Sequence, residues 1–300
     1  MTPENANLTI SDMNEKDLQK QLDQQMKAQN NRAIADFEGY SPLEMRQIMY
    51  DTFGAESPLQ LKKATEADYR KVPLLNQVKY LCGLIEQSGE LKLTAKGFLP
   101  TKIVADIYQQ GFMKEMQFEK GISKLYKETD SLTINLTRLL IEIAGLVKKR
   151  QGKLSLTKKG TQILADDQEL LRLLLLTFAT KFNWAYYDGY GENQIGQLGY
   201  GFSLILLSKY GAEKRLESFY AERYFRAFPQ LLQSIQPTSY RTPMEYATGC
   251  YAVRTFERFL DYFGWIEIEH RGMGFDRKTY ISKTDLFDCF IQCLPHGTGL

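Results

Sequence analysis

Histidine is nearly absent: His270 and His296 are the two in 300 residues. So few imidazoles leave no paired-histidine zinc motif. Other catalytic signatures are missing as well: there is no phosphate-cradling Gly-Lys-Ser/Thr loop and no Gly-x-Ser-x-Gly elbow, and the carboxylates form no recognisable acid–base pair. These absences predict a protein that is not an enzyme and carries no cofactor. Cysteine is scarce too. Cys82, Cys250, Cys289 and Cys293 are scattered without the density of a disulfide framework, which predicts a reducing, cytoplasmic setting. Cys289, Cys293 and His296 have spacings a metal accepts, but a fourth ligand is wanting and only Cys250 or His270 is at hand. Cys289 and Cys293 lie i, i+4 in "LFDCFIQCL", so both are expected on the apolar face of a terminal helix, as core cysteines with no metal.

Long hydrophobic runs are also lacking. The most apolar stretch, "LLRLLLLTFATKF", is shorter than the ~20 residues a bilayer span needs and contains Arg172 and Lys181. It reads as a buried helix, and no membrane partner is expected. The opening "MTPENANLTISDMNEKDLQKQ" shows no basic region followed by an apolar run, so no secretory signal is expected. What is present suffices for substantial cores: 43% of residues are hydrophobic and 12% aromatic, in a chain long enough for two or three packed units.

The net charge of +2 conceals an uneven distribution. Residues 71–160 hold 16 basic and 8 acidic side chains, whereas residues 1–40 hold 4 and 7, residues 41–70 hold 4 and 5, and residues 161–300 hold 14 and 16. The positive excess sits in one stretch, which bears on partners rather than on fold.

The same stretch repeats itself. "LKLTAKG" begins at Leu91 and "LSLTKKG" at Leu154. Ahead of each is a helical stripe, Leu74, Val78 and Leu81 in the first and Leu136, Leu140 and Ile143 in the second, followed by Gly83-Leu84-Ile85 and Gly145-Leu146-Val147. Each glycine is expected to end its helix in left-handed geometry, with the apolar pair opening a hairpin that the repeated phrase closes. A more degenerate third copy runs from "RTFERFLDYFGWIEIEH" through "TYISKTD". Between the second and third copies an all-helical section is interrupted by the loop "NWAYYDGYGENQIGQLGYG", rich in glycine and tyrosine. Upstream, "SDMNEKDLQKQLDQQMKAQ" places Leu18, Leu22 and Met26 on one stripe, capped by Ser11, and reads as a docking helix.

A helix ending in "GLIE" or "GLVK", then a hairpin closing on "LT-x-K-G", resembles the back half of a winged-helix domain. In that superfamily the helix before the glycine is the recognition helix and the hairpin is the wing. The chain as a whole also resembles an uncharacterised bacterial protein family with an "SP-x-x-M" helix and the "WAYYDGYGENQIGQLGYG" section. The resemblance implies a mainly α fold with small β-hairpins: a polar segment and docking helix at 1–40, winged-helix-like units at 41–112, 113–163 and 237–300, and a central helical section at 164–236.

On that frame the second copy is the sharpest candidate for nucleic acid. Lys148, Lys149, Arg150, Lys153, Lys158 and Lys159 surround one hairpin and can neutralise phosphates. Asn135, Thr137 and Arg138 on the adjoining helix have donors suited to base edges. The first copy offers Asn76, Gln77 and Lys79. In the third, Arg254 and Arg258 sit beside Glu257 and Asp261 and are expected to form surface pairs. The leading expectation is binding of duplex DNA, in a regulatory role. The alternatives are a protein-interaction or oligomerisation scaffold, and an enzyme whose pocket gathers Tyr186, Tyr187, Asp188 and Glu192. A wing and second helix forming one continuous positive face would support DNA; if a neighbouring unit buries that helix face, the DNA reading by wing and helix together fails and the scaffold gains.

Overall fold

The computed structural model describes residues 15–233, 235–236, 241–272 and 277–298. Helix α1 (Glu15–Asn30) leads into α2 (Pro42–Tyr50), strand β1 (Leu59–Leu61) and the single turn α3 (Glu66–Tyr69). The expected cap at Ser11 lies outside the described residues. A first run follows: α4 (Pro73–Ser88), β2 (Leu91–Lys92), α5 (Thr101–Gln109), the short α6 (Met116–Glu119), α7 (Leu132–Ile143), β3 (Val147–Arg150), β4 (Lys153–Leu156) and α8 (Lys158–Leu164). Helix α9 (Asp167–Thr180) and the Tyr/Gly loop lead to a second run. It comprises α10 (Tyr200–Tyr210), β5 (Arg215–Leu216), α11 (Glu217–Ala227), the short α12 (Gln230–Gln233), α13 (Pro243–Tyr251), a π-helical continuation over Ala252–Leu260, β6 (Ile266–Arg271), β7 (Lys278–Lys283) and α14 (Asp285–Phe290). Strand β8 (Ile291–Cys293) returns to pair with β1. The fold is mainly helical with small antiparallel sheets, as expected, and none of its described helices is long and apolar enough to cross a membrane.

The two runs share one topology. Apart from the four-residue helices α6 and α12, both read helix, two-residue strand, helix, helix, hairpin, helix, and their sheets have the equivalent orders β2–β4–β3 and β5–β7–β6. The turn between the third helix and the hairpin is the same in both. Gly145 (φ 72°) and Gly264 (φ 70°) are left-handed stops, a geometry that costs an L side chain but not glycine. Thr157 Oγ1 donates to the Gly145 carbonyl at 2.8 Å, and Thr284 Oγ1 does so to that of Gly264 at the same distance. The Thr157 and Thr284 amides donate to Leu146 and Trp265, each at 3.0 Å.

The first copy of the phrase departs from expectation. Gly83 does not end α4; the helix runs on through Leu84 and Ile85 to Ser88 and stops at Gly89 (φ 68°). The cause is burial: Leu74, Val78, Leu81 and Ile85 fall on one helical stripe and are all fully buried, so Ile85 continues the helix rather than opening a strand. "LKLT" therefore closes no hairpin of its own. It pairs antiparallel with the second copy, Leu91 opposite Leu154 and Lys92 opposite Lys153. Residues 41–112 and 113–163 thus share one sheet instead of each having one, and the section 164–236, expected to be all helical, contains β5.

A single hydrophobic core joins the runs. Phe178 of α9 meets Trp184, Phe259 and Tyr262 at ring-centroid separations of 5.8, 5.6 and 6.3 Å, linking the first run's flanking helix to the π-helical segment.

Candidate nucleic-acid interface

Helix α7 occupies the place of the expected base-reading helix, and it is enclosed. It packs against α4, α5, α9 and β3, and Asn135, Thr137 and Arg138 are all buried. Their polar groups are engaged. Glu128, with no exposure, accepts from Arg138 Nε and Asn135 Nδ2, each at 2.6 Å, and from the Leu99 amide at 2.6 Å through its other oxygen. Arg138 Nη1 also donates to Glu142 at 2.5 Å. Burial works against the Arg138 charge, but the hydrogen bonds and charges of Glu128 and then Glu142 outweigh it and raise its pKa above the ordinary arginine value. Asn135 Oδ1 accepts from the Tyr186 hydroxyl at 3.1 Å. Thr137 Oγ1 donates to the Thr133 carbonyl and accepts from Gln77 Nε2, both at 2.8 Å.

The first-copy candidates are likewise committed. Gln77 is buried against α7, and Asn76 Nδ2 donates to the carbonyls of Tyr69, Arg70 and Val72, securing the entry to α4. Lys79 is exposed but pairs with Asp167 at the start of α9, 2.6 Å away. Asn135, Thr137, Arg138, Asn76 and Gln77 therefore bond within the fold, and of the expected readers Lys79 alone is exposed, in a surface ion pair. Sequence periodicity located Asn135 and Arg138 on a common face correctly, but the buried carboxylate covering that face, Glu128, carries no local signal.

The hairpin is the opposite case. Lys148, Lys149, Arg150, Lys153, Lys158 and Lys159 are all exposed. The tip, Gln151 (φ 48°) and Gly152 (φ 71°), takes the doubly left-handed form that two-residue hairpin turns favour. Register then sorts the cations by face. Lys153 lies opposite Arg150 on one side and Lys92 on the other, and Lys148, two residues from Arg150, shares that outer face opposite Ser155. The inner face holds the buried Leu91 and Leu154; Lys149, opposite Leu154, stays exposed at the sheet edge. Lys92 was missed by sequence reasoning because its place in the row depends on pairing with a strand some sixty residues away.

Like charges directly opposite one another destabilise a sheet. Here Lys92, Lys153 and Arg150 stand side by side, and only Lys153 has a carboxylate, Glu90 at 2.7 Å. That hydrogen bond holds the Glu90 pKa below its ordinary value. Lys92, Lys148, Lys149, Arg150, Lys158 and Lys159 make no ion pair among the described residues. The second run reverses the pattern. Aligned through the matching glycine turns, Glu267 and Glu269 stand where the first run has Lys148 and Arg150.

The third-copy arginines make no surface pairs with Glu257 or Asp261. Arg254 and Asp188 form a fully buried ion pair, and Arg254 Nη atoms also donate to the carbonyls of Asn193 and Gly191, each at 2.9 Å. Arg258 donates to the Tyr186 carbonyl at 2.7 Å. The Tyr/Gly loop is thereby fastened to the π-helical segment. The cavity beside Tyr186, lined by Leu132, Leu136, Phe182 and Trp184 among others, has a volume of about 10 Å³, room for roughly one water. Glu192 lines a separate, open depression with Tyr50 and Lys181. At the C-terminus Cys293 lies in β8, not on a helix, and His296 pairs with Glu44. Among the described residues no group of three His, Cys, Asp or Glu side chains is placed to hold a metal.

Residues 70–169 match the family model of the Y4jL N-terminal domain. The match takes in a third of the chain, from just before α4 to just inside α9, and so spans the whole first run. It fits the expected resemblance to an uncharacterised protein family. No curated protein and no solved structure matches the chain.

Proposed function

We propose that this protein binds the phosphate backbone of duplex nucleic acid through the outer face of the β2–β4–β3 sheet and its hairpin, without reading base sequence. The observation that carries this reading is the row Lys92–Lys153–Arg150 with Lys148 beside it, an arrangement the fold itself does not need. The engagement of Asn135, Thr137 and Arg138 inside the fold removes the base-reading component expected of α7. In the same reading, residues 73–164 and 200–290 are two winged-helix units, replacing the three anticipated, because each run carries one helix–strand–helix–helix–hairpin topology. The basic unit contacts nucleic acid, and the one bearing Glu267 and Glu269 does not.

Binding to random-sequence duplex DNA, titrated across salt concentration, tests this. Four or five phosphate contacts give log K against log salt a slope of roughly −4. Replacing Lys148→Glu together with Arg150→Glu lowers the slope by about 2 and leaves the thermal midpoint in place. No binding at low salt, or a slope that the double variant does not change, overturns the proposal. The burial of α7 favours one second reading, a protein-interaction scaffold in which both units serve packing, and that reading gains if the DNA titration is flat.

A further inference from the structure

Two strand edges are open. β3 ends the sheet of the first run and β6 that of the second, and among the described residues no further strand pairs with either. The Thr157 and Thr284 amides, bonded to the Leu146 and Trp265 carbonyls, fix which backbone groups each edge leaves over. In an antiparallel ladder every second residue bonds to the partner strand, so Lys148 and Arg150 are spent on β4, and Glu267 and Glu269 on β7. The N–H and C=O groups of Val147 and Lys149, and of Ile266, Ile268 and His270, point the other way. None of these makes another backbone hydrogen bond among the described residues.

Along β6 the edge opens on a cleft of about 810 Å³. Every residue from Ile266 to His270 lines it, which side chains of alternating direction do only where a cleft follows the strand's edge. Several of its charged groups are already engaged: Lys114 pairs with Glu119, Glu115 accepts from Thr133, and Glu269 pairs with Lys214 and Arg271. Glu257, Asp261 and Glu267 make no ion pair among the described residues, against one such cation in the cleft, Arg277. The β3 edge is the converse, with Lys148, Lys149 and Arg150 exposed and unpaired among the described residues.

We propose that β3 of one copy of this chain adds to β6 of a second copy, antiparallel, joining their two sheets edge to edge. Antiparallel addition keeps the outer faces of both sheets on one side. One register then matches the open backbone groups and both glutamates at once: Lys149 opposite Ile268, Lys148 opposite Glu269 and Arg150 opposite Glu267. Lys149, on the inner side, enters the cleft that Glu257 and Asp261 line. Like edges do not fit. Two β3 strands would set cation against cation and two β6 strands glutamate against glutamate, so the charges that block each edge from pairing with itself leave the unlike pairing open. The contact is head to tail, and each copy keeps a second edge to offer, so copies add in a row.

Sedimentation velocity on the full chain from about 1 to 200 µM, at low salt and without nucleic acid, tests this independently of the nucleic-acid reading. Concentration-dependent association is expected, weakening as salt is raised. Arg150→Glu and Glu267→Lys, each at an exposed side chain with no ion pair of its own, are each expected to weaken association at least about tenfold with the thermal midpoint unchanged. Combining Arg150→Glu with Glu267→Lys in one chain restores an opposite-charge pair and is expected to recover association, which a merely structural effect of either substitution would not do. A monomer at every concentration, a single variant that associates as tightly as the parent, or a double variant no tighter than the singles overturns the proposal.

Discussion

Glu128 sits seven residues before Asn135 in a polar segment, and nothing near it in the chain marks it as buried. In the fold it accepts from Arg138, Asn135 and the Leu99 amide, so a full charge is held inside only because three donors surround it. Removing one partner of such a pair costs far more than the pair contributes, since the other charge stays behind. Glu128→Ala is expected to lose about 3–5 kcal/mol in urea unfolding, and Glu128→Gln, which keeps an acceptor, distinctly less. A loss under about 1 kcal/mol in the alanine variant would show that Glu142 alone satisfies Arg138. The same residue accounts for the misplaced expectation about base reading. Asn135 and Arg138 were legible as a polar pair on one helix face, but what covers that face arrives from outside the helix.

Among the elements, the repeated phrase shows how identical letters serve different physical ends. Gly160 of "LSLTKKG" is required by close approach, because a Cβ there would collide with the Leu146 carbonyl oxygen. Gly97 of "LKLTAKG" is required by its left-handed φ of 82°. Gly83, read as a helix stop, is neither: it lies within α4, and a Cβ there would meet nothing within 4 Å. Gly83→Ala is therefore expected to raise stability by about 0.5–1 kcal/mol, the usual helix-interior difference. Gly160→Ala is expected to lower it by about 1–3 kcal/mol, because backbone must move. Thermal or urea unfolding of the two variants settles both, and a destabilising Gly83→Ala would restore the helix stop. The second and third hairpins were legible since Gly145 and Gly264 are local stops with a threonine to lock them. The first was not, since whether the chain after Gly83 coils or extends is decided by where Ile85 is buried, and that depends on the rest of the molecule.

On the scale of the whole molecule, the N- and C-terminal parts of the fold are fastened together. Tyr40 Oη donates to the Leu294 carbonyl at 2.8 Å, β1 pairs with β8, and Glu44 accepts from Ser41, from the Gly297 amide at 3.0 Å and from His296 at 2.6 Å. Burial alone would raise the Glu44 pKa, but the Ser41 and Gly297 amides, His296 and the Ser41 hydroxyl together bring it below 4.5. A carboxyl held lower in the folded than in the unfolded chain stabilises above its unfolded value, and that stabilisation is lost as pH falls through the folded one. Glu44→Gln should thus flatten the loss of stability seen on acidification below 4.5, read from urea midpoints across pH. An acid limb as steep as the parent's would place the titration elsewhere. None of this fastening was legible in the sequence: Cys293 and His296 were weighed as neighbours of each other, whereas their partners are at Leu59 and Glu44.

That fastening also governs how the chain is made. Tyr40 and Leu294 are 254 residues apart, so Tyr40 waits for a partner made 254 residues later. At roughly 5–20 residues per second the wait is on the order of ten to fifty seconds, during which the edge of β1 lacks β8. The run from α4 to α8 needs nothing downstream of it to complete its sheet. It can assemble in that interval, leaving β1 and the Tyr40 contact to settle after it.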